Sequence, residues 1–295
     1  FIDPNKVLLF PTDDLVRSEA LAQSKEMSAQ RIYVLNEILK EQPKIVVANL
    51  SSVIRYLPSP DVFRSQCLNF AVGDCFDFGE IKKTLAKMGY LHVSKIDQSL
   101  QFAFRGDILD IYSVNNDYPV RIEFFGDEIE SIRFFDLATQ KSIQEIKGVA
   151  ILPGSDILLT EEEVLGATDK LFNILEKDKQ VVDPDIFERL RINLENDLDK
   201  IHSGEMSEKL YKYFAQLSNH SATLFDYCSN FTKVIIDEES INNSNTLLID
   251  ESFRYLNEMF EDGKCISHLE LYQDIHNLIS PKTPGVIFTS NKRTE

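Results

Sequence analysis

Two α/β segments separated by an inserted α+β module form the architecture that this 295-residue sequence predicts. Three observations carry that reading. Residues 1–66 alternate short apolar runs with helical periodicity, residues 67–151 hold one amphipathic helix followed by successive strand-like runs, and residues 152–295 intersperse short strands among long helical stretches. At roughly 150 residues per domain, the length suits about two domains or three small ones.

In the first segment, Val7 to Phe10 and the β-branched run Ile45 to Ala48 read as strands. Ile32, Leu35, Ile38 and Leu39 recur between them at helical spacing, with Pro43 marking the helix end. Leu57-Pro58 and Ser59-Pro60 break this βαβ-like pattern, because proline lacks a backbone donor and restricts the residue before it. A boundary is expected just beyond, near Cys67. In the second segment, Asp77 with Glu80 predicts a helix cap, Phe78, Ile81, Leu85 and Met88 share one face, and Gly89 stands where a left-handed cap belongs. Strands follow over Leu100 to Arg105, Ile108 to Tyr112, Val120 to Phe125 and Glu128 to Phe135, the last two joined across Gly126-Asp127. In the third segment, Thr160 with Glu163 and Ser267 with Glu270 read as capping boxes, and Asp183-Pro184 as a helix start. Val234 to Ile236, Thr246 to Ile249 and Val286 to Phe288 read as strands.

The composition, 43% hydrophobic with 31 basic against 48 acidic side chains, belongs to a chain that folds around a core. The net charge of -17 is uneven, the three segments carrying 0, -4 and -13. A surface so acidic towards its C-terminal half repels nucleic-acid phosphates, so DNA binding by this chain alone is not expected. The longest apolar runs span only a few residues, far short of the ~18 that cross a bilayer. The opening Phe1-Ile2-Asp3-Pro4-Asn5-Lys6 has neither an initiator Met nor a signal peptide, and the expectation is a piece of a longer protein. Cys67, Cys75, Cys228 and Cys265 are too few and scattered for a disulfide scaffold, which fits a reducing cytoplasm. Cys265, His268 and His276 lie near one another in sequence, but no paired motif supplies the remaining ligands of a zinc site.

Catalytic signatures are missing. No GxxxxGK[ST], GxSxG or HExxH occurs, and His92, His202, His220, His268 and His276 have no triad context. Lys233-Val234-Ile235-Ile236-Asp237-Glu238-Glu239 reads two ways: as the acidic strand end that holds magnesium in helicase-type ATPases, or as an ordinary acidic helix start. The sharper signal is the alternation in Val120-Arg121-Ile122-Glu123-Phe124-Phe125. It sends Val120, Ile122 and Phe124 to the core and turns Arg121, Glu123 and Phe125 to the other face. The same alternation turns Arg105 outward, beside Arg121 if their strands are neighbours. Two arginines and an aromatic on one face have the composition of an interface hot spot. They fit equally a sheet surface on which Phe125 packs under a loop and the arginines pair with Glu123 and Asp127.

The run Phe104-Arg105-Gly106-Asp107-Ile108-Leu109-Asp110-Ile111-Tyr112, followed by Pro119-Val120-Arg121-Ile122-Glu123-Phe124-Phe125-Gly126-Asp127-Glu128-Ile129-Glu130-Ser131-Ile132-Arg133, strongly resembles the UvrB-homology module. That module is shared by the excision-repair protein UvrB and the bacterial transcription-repair coupling factors (Mfd). Phe10-Pro11-Thr12-Asp13-Asp14, Leu57-Pro58, Val72-Gly73-Asp74 and Ile151-Leu152-Pro153 fit as flanks. UvrB carries a tyrosine-rich, DNA-clamping hairpin beside its equivalent of Phe10 to Asp14, and no tyrosine cluster stands there, so the chain looks like the coupling factors instead.

That resemblance implies a degenerate RecA-like, P-loop-NTPase-like domain in two parts, 1–66 and 152–295, around an inserted α+β UvrB-like interaction domain, 67–151. The family's equivalent of the phosphate loop would lie upstream of Phe1. The resemblance implies UvrA as partner, contacted through Arg105, Arg121 and Phe125, with Glu123, Asp127 and Arg133 on the rim. It implies no cofactor here, with ATP and magnesium, RNA polymerase and double-stranded DNA served by other domains, and masking of the UvrA face by a C-terminal domain. The alternative is a UvrB-type or helicase-like domain acting on nucleotide or DNA through Asp237 and Glu238.

Overall fold

The computed structural model describes residues 3–11, 25–40, 42, 44–204, 207–279 and 285–288. Pro43, Thr12 to Asp14, Phe1 and Ile2 lie outside the described residues. Strands β1 (Val7–Phe10) and β2 (Ile45–Ala48) pair in parallel, with α1 (Lys25–Leu39) between them in the chain. This is the βαβ order read from the sequence. Leu8 and Phe10 pack with Ile32, Leu35 and Ile38 of α1. Helix α2 (Leu50–Val53) follows, capped by Asn49, whose side chain accepts from Ser52 N at 3.1 Å. The prolines that interrupt the pattern are built into structure. Leu57–Pro58 (β3) pairs antiparallel with Ser221–Ala222, and Ser59 caps α3 (Pro60–Ser65), where Pro60 stands in the first turn and no donor is missed.

Strand β4 (Leu68–Ala71) leads into the second unit and pairs antiparallel with β11 (Gly148–Ile151), which leads out of it. Between them lie α4 (Phe78–Lys87), β5 (Leu91–His92), β6 (Gln101–Arg105), β7 (Ile108–Tyr112), β8 (Val120–Phe125), β9 (Glu128–Phe135) and β10 (Ser142–Ile146). The six strands form one sheet in the order β10-β9-β8-β7-β6-β5. Asp77 caps α4 by accepting from Glu80 N at 2.9 Å, and Gly89 beyond its end has φ +90. Ile81 and Leu85 of α4, with Met88 at its C-terminal cap, join Phe102, Leu109, Ile111, Val120, Ile122 and Phe124 of the sheet in one core. The β6–β7 and β8–β9 hairpins both turn on Gly-Asp, with Gly106 at φ +59 and Gly126 at φ +62. A two-residue hairpin with positive φ at its first central residue favours glycine there. In β9 the register shifts opposite Glu123/Phe124, so Ile129 and Ile132, three residues apart, both reach the core.

The remainder is helical: α5 (Glu161–Leu165), α6 (Ala167–Asp178), α7 (Pro184–Ser203), a 3-10 turn over Glu208–Tyr213, and α8 (Phe214–Leu217). Strand β12 (Ser221–Ala222), α9 (Leu224–Tyr227), β13 (Lys233–Ile236), α10 (Glu238–Glu261), α11 (Ile275–Leu278) and β14 (Gly285–Phe288) complete it, β13 and β14 pairing in parallel. The Thr160/Glu163 capping box forms with both of its bonds. Two expectations fail. Thr246 to Ile249 is no strand but the middle of α10; a four-residue apolar run carries no period of its own, and at helical pitch Leu248 and Ile249 reach the core while Leu247 is exposed. Ser267 starts no helix, because its N–H and hydroxyl are both taken by the buried carboxylate of Asp178 at the end of α6.

Residues before 66 and after 152 share cores. Ile54 packs with residues of α6, α7 and α10, and Leu57, Val62 and Phe63 pack with Leu152, Leu158, Leu224 and Tyr227. At their junction Asp156, with a fully buried side chain, accepts from Arg31 Nε at 2.7 Å, Arg31 Nη2 at 3.0 Å and Ser28 Oγ at 3.0 Å. Arg55 Nε lies 3.4 Å from the same carboxylate, and Glu208 receives Arg31 at 3.0 Å and Arg55 at 3.1 Å. The Arg55 guanidinium also lies over the Tyr211 ring, 3.9 Å from its centroid. Burial disfavours the charge on Asp156, but Arg31 and Arg55, with the hydrogen bonds of Arg31 and Ser28, outweigh it and hold the carboxyl well below the usual carboxylate range.

Asp156 therefore contributes stability that is full above the pKa of an unfolded aspartate, about 4, and is lost as pH falls towards the depressed folded value. Asp156→Asn is expected to cost about 3 to 5 kcal/mol by leaving two buried arginines short of charge. Urea unfolding should also show a shallower loss of stability for the variant than for the wild type between about pH 5 and pH 2. Parallel pH profiles would refute the assignment.

Candidate functional site

The sheet of the inserted unit has two unequal faces. One is sealed by α4, as the alternation in β8 requires: Val120, Ile122 and Phe124 are buried, Arg121 and Glu123 are half-buried, and Phe125 is 82% exposed. Among the described residues the other face carries a small apolar cluster at one end, where Ile96, Ala103 and Phe135 pack with Val93, Tyr112 and Leu137. Beyond that cluster the face is charged.

Arg105 and Arg121 are not strand neighbours, because β7 lies between β6 and β8. What joins them is Asp110 of β7, which stands directly opposite Arg121 on one side and Ala103 on the other. Its carboxylate, only 2% exposed, receives Arg121 Nε at 2.6 Å and Nη2 at 2.9 Å, and bonds Arg105 Nη2 as well. The expectation that Glu123 and Asp127 would pair these arginines is corrected. Glu123 takes Arg133 across β9 at 2.9 Å, together with Ser131 Oγ at 2.9 Å, and the arginine bonds hold its carboxyl below the ordinary value. Asp127 is exposed at the β8–β9 turn, its carbonyl accepting from Phe76 N at 2.8 Å.

The two arginines thus differ in what they offer. Arg121, with a side chain 13% exposed, is held down three times over. Its hydrogen bonds to Asp110 keep it more firmly protonated than an ordinary arginine, Nη2 also donates to Gln140 Oε1 at 3.0 Å, and its plane lies 4.3 Å from the centroid of buried Phe135. Arg105, 46% exposed, bonds through Nη2 to Asp110, and its Nε and Nη1 have no partner among the described residues. The face therefore presents one guanidinium with donors to spare and one bare aromatic ring above a fixed ionic floor. Asp110 is the residue that sequence reasoning passed over. An acid in the otherwise apolar strand Ile-Leu-Asp-Ile-Tyr, on the same face as Arg105, was the available signal.

The acidic run after β13 begins a helix. Asp237, at φ +61, caps α10 by accepting from Ser240 N at 3.2 Å, and Glu238 and Glu239 occupy its first turn. Cys265 is buried with its thiol 3.7 Å from Leu256 O, and burial pushes that thiol up to about 11. Among the described residues no helix is long and apolar enough to cross a membrane, and no cluster of three or more His, Cys, Asp or Glu is arranged to hold a metal.

The inserted unit is of a recognisable class: residues 68–156 match the model of the UvrB interaction domain. Across 98% of its length the chain is 28% identical to a transcription-repair-coupling factor of Bacillus subtilis (strain 168) over 297 residues, 25% of that protein. It is 26% identical over 272 residues to that of Staphylococcus aureus (strain bovine RF122 / ET3-1), 89% of this chain and 22% of the relative. To that of Staphylococcus haemolyticus (strain JCSC1435) it is 25% identical over 299 residues, 98% of this chain and 25% of the relative. The chain is homologous to the N-terminal region of transcription-repair-coupling factors and contains a UvrB interaction domain. It spans about a quarter of the length of the curated relatives it matches.

Stability should separate Phe125 from Arg121 before any partner is added. Phe125→Ala, which removes no packing, is expected to change unfolding free energy by less than about 0.5 kcal/mol. Arg121→Ala, which strips a near-buried carboxylate of its bidentate partner, should cost about 2 to 3 kcal/mol. Equal urea midpoints for the two variants would contradict the geometry.

Proposed function

We propose that this chain is the UvrA-recruiting, non-catalytic part of a transcription-repair coupling factor, connecting a stalled RNA polymerase to nucleotide excision repair in the cytoplasm. The observation that carries the reading is the coincidence of a UvrB interaction domain with an open sheet face that presents Arg105 and Phe125. An exposed aromatic on the same sheet face as an arginine with unused donors is the composition from which binding energy is concentrated at protein interfaces. Arg121 belongs to that face as its floor, and Glu123, Asp127 and Arg133 form its rim.

The division of labour follows. Residues 1–66 and 152–295 are read as the two parts of a degenerate RecA-like domain, with 67–151 as the inserted recruiter. Their shared cores and the parallel pairs β1·β2 and β13·β14 support that reading. ATP, magnesium, RNA polymerase and double-stranded DNA are assigned to other domains of the parent, an ATP-dependent translocase that displaces the polymerase. A C-terminal domain of that parent covers the UvrA face until it is needed. The strongly acidic third segment supports a role that does not grip DNA.

Calorimetric titration of the chain with purified UvrA tests the reading. Wild type is expected to bind at micromolar affinity or tighter, and Arg105→Ala and Phe125→Ala are each expected to cost about 2 kcal/mol or more. A folded wild type that does not bind, or binding indifferent to both substitutions, would refute it.

A further inference from the structure

We propose that Asp110 is the positioning residue of this face, and that the geometry it imposes selects a partner patch made of one carboxylate beside an apolar recess. The inference rests on the reading of the face as the UvrA site and names the chemistry by which that site recognises its partner. Asp110 sits in the middle of the sheet, with β6 on one side and β8 on the other, and its side chain is inaccessible to a partner. Any effect it has on binding must therefore pass through the arginines that it holds.

It holds them unequally. Two bonds from Arg121 consume the carboxylate's bidentate geometry, and the bond to Gln140 and the Phe135 ring fix what remains of that guanidinium. Asp110 then anchors Arg105 by Nη2 alone. A guanidinium is planar, so anchoring one nitrogen near a fixed point limits where its Nε and Nη1 edges can face. Those edges are free of partners among the described residues and lie on the same sheet face as Phe125. Arg105 lies across from Ile108, which stands opposite Glu123, and Phe125 is two residues further along β8. The ion group counts two arginines against one carboxylate, so one positive charge is left over, and Arg105, the exposed member, displays it. A partner carboxylate can accept from Nη1 or from Nε of Arg105 without displacing an internal bond, while Phe125, on the same sheet face, enters an apolar recess. Preorganising a long side chain in this way lowers the entropy that binding would otherwise cost.

The test uses the whole chain and two readouts. In titrations with UvrA, Asp110→Asn, which keeps the shape and removes the charge, is expected to weaken binding roughly tenfold or more, as is Arg105→Ala. The double variant is expected to be no weaker than the poorer single variant by more than about threefold, because both changes remove the same held fork. Unchanged affinity for Asp110→Asn, or losses that multiply in the double variant, would overturn the proposal. The second readout needs no partner. Arginine side-chain NMR of the free chain should show a restricted Arg105 guanidinium in the wild type and a freely rotating one in Asp110→Asn, with the backbone amides of β6 to β9 otherwise in place. An Arg105 signal equally mobile in both would overturn the positioning role.

Should Asp110→Asn fail to fold, Arg105→Lys asks the same question from the other end, since lysine keeps the charge and loses the planar fork. Wild-type affinity for Arg105→Lys would overturn the proposal, and a tenfold loss would support it. If Arg105→Ala and Phe125→Ala both bind UvrA as the wild type does, the UvrA reading itself fails and the partner chemistry falls with it. In that event the NMR comparison separately decides whether Asp110 holds the arginine.

Discussion

The carboxylate of Asp156 is the point at which three distant parts of this chain are made to agree. Removing one aspartate, two arginines and a glutamate from water costs several kcal/mol per ion, and mutual attraction offsets that only when the geometry is good. Arg31 comes from α1, Arg55 from the turn after α2, Asp156 from the segment leaving the inserted unit, and Glu208 from the 3-10 turn before α8. Each arginine has both acids as partners, so no single displacement is cheap. The consequence is register. The chain that exits the inserted unit at β11 can join the body only where Asp156 meets both arginines, and this fixes how the unit is mounted.

The mounting is reinforced by neutral bonds of the same logic. Tyr90, just after α4, donates to Leu152 O at 2.7 Å, and Ser113, after β7, accepts from Leu152 N at 3.0 Å. Both backbone groups of Leu152 are thereby satisfied by side chains of the inserted unit, in a buried place where unpaired groups would be costly. The buried residues of the apolar cores form distinct clusters, the inserted unit's touching the body's through Val114, while polar bonds cross between them. An inserted unit with its own core can change its surface without disturbing the body, provided these few bonds are kept.

How much of this was legible depended on whether a signal is local. The four central strands, α4 and its cap, and the βαβ start were readable because alternation, helical spacing and turn residues act within a few positions. Thr246 to Ile249 was misread for the complementary reason. Its four residues carry no period, and the decision was made by Asn245, which is buried and bonded to Asp274 and Ile275 N thirty residues away. Ser267 fell to the same cause, a carboxylate 89 positions distant. On the sheet face, the exposure of Phe125 followed from alternation alone. The different states of Arg105 and Arg121 did not, since they depend on strand order, on Gln140 in the β9–β10 turn, and on Asp110.

Asp156 and Asp110 are two uses of one device. Each is a buried carboxylate that serves two arginines, yet the surroundings decide what the device does. Around Asp156 a second acid balances the second arginine and all but Glu208 are sealed, so the group spends its charge internally and acts as a joint. Around Asp110 no second acid bonds Arg105 among the described residues, and sheet geometry places that arginine towards the open end of the face rather than under the Ile96, Ala103 and Phe135 cluster. The unbalanced charge then has nowhere to be satisfied except in water or in a partner. A sheet surface kept only for architecture would gain by replacing Arg105 and Phe125 with residues that leave no exposed ring and no idle donors, because neither supports the core beneath. Their presence above a floor this firmly built is the physical argument for the binding role proposed for the face.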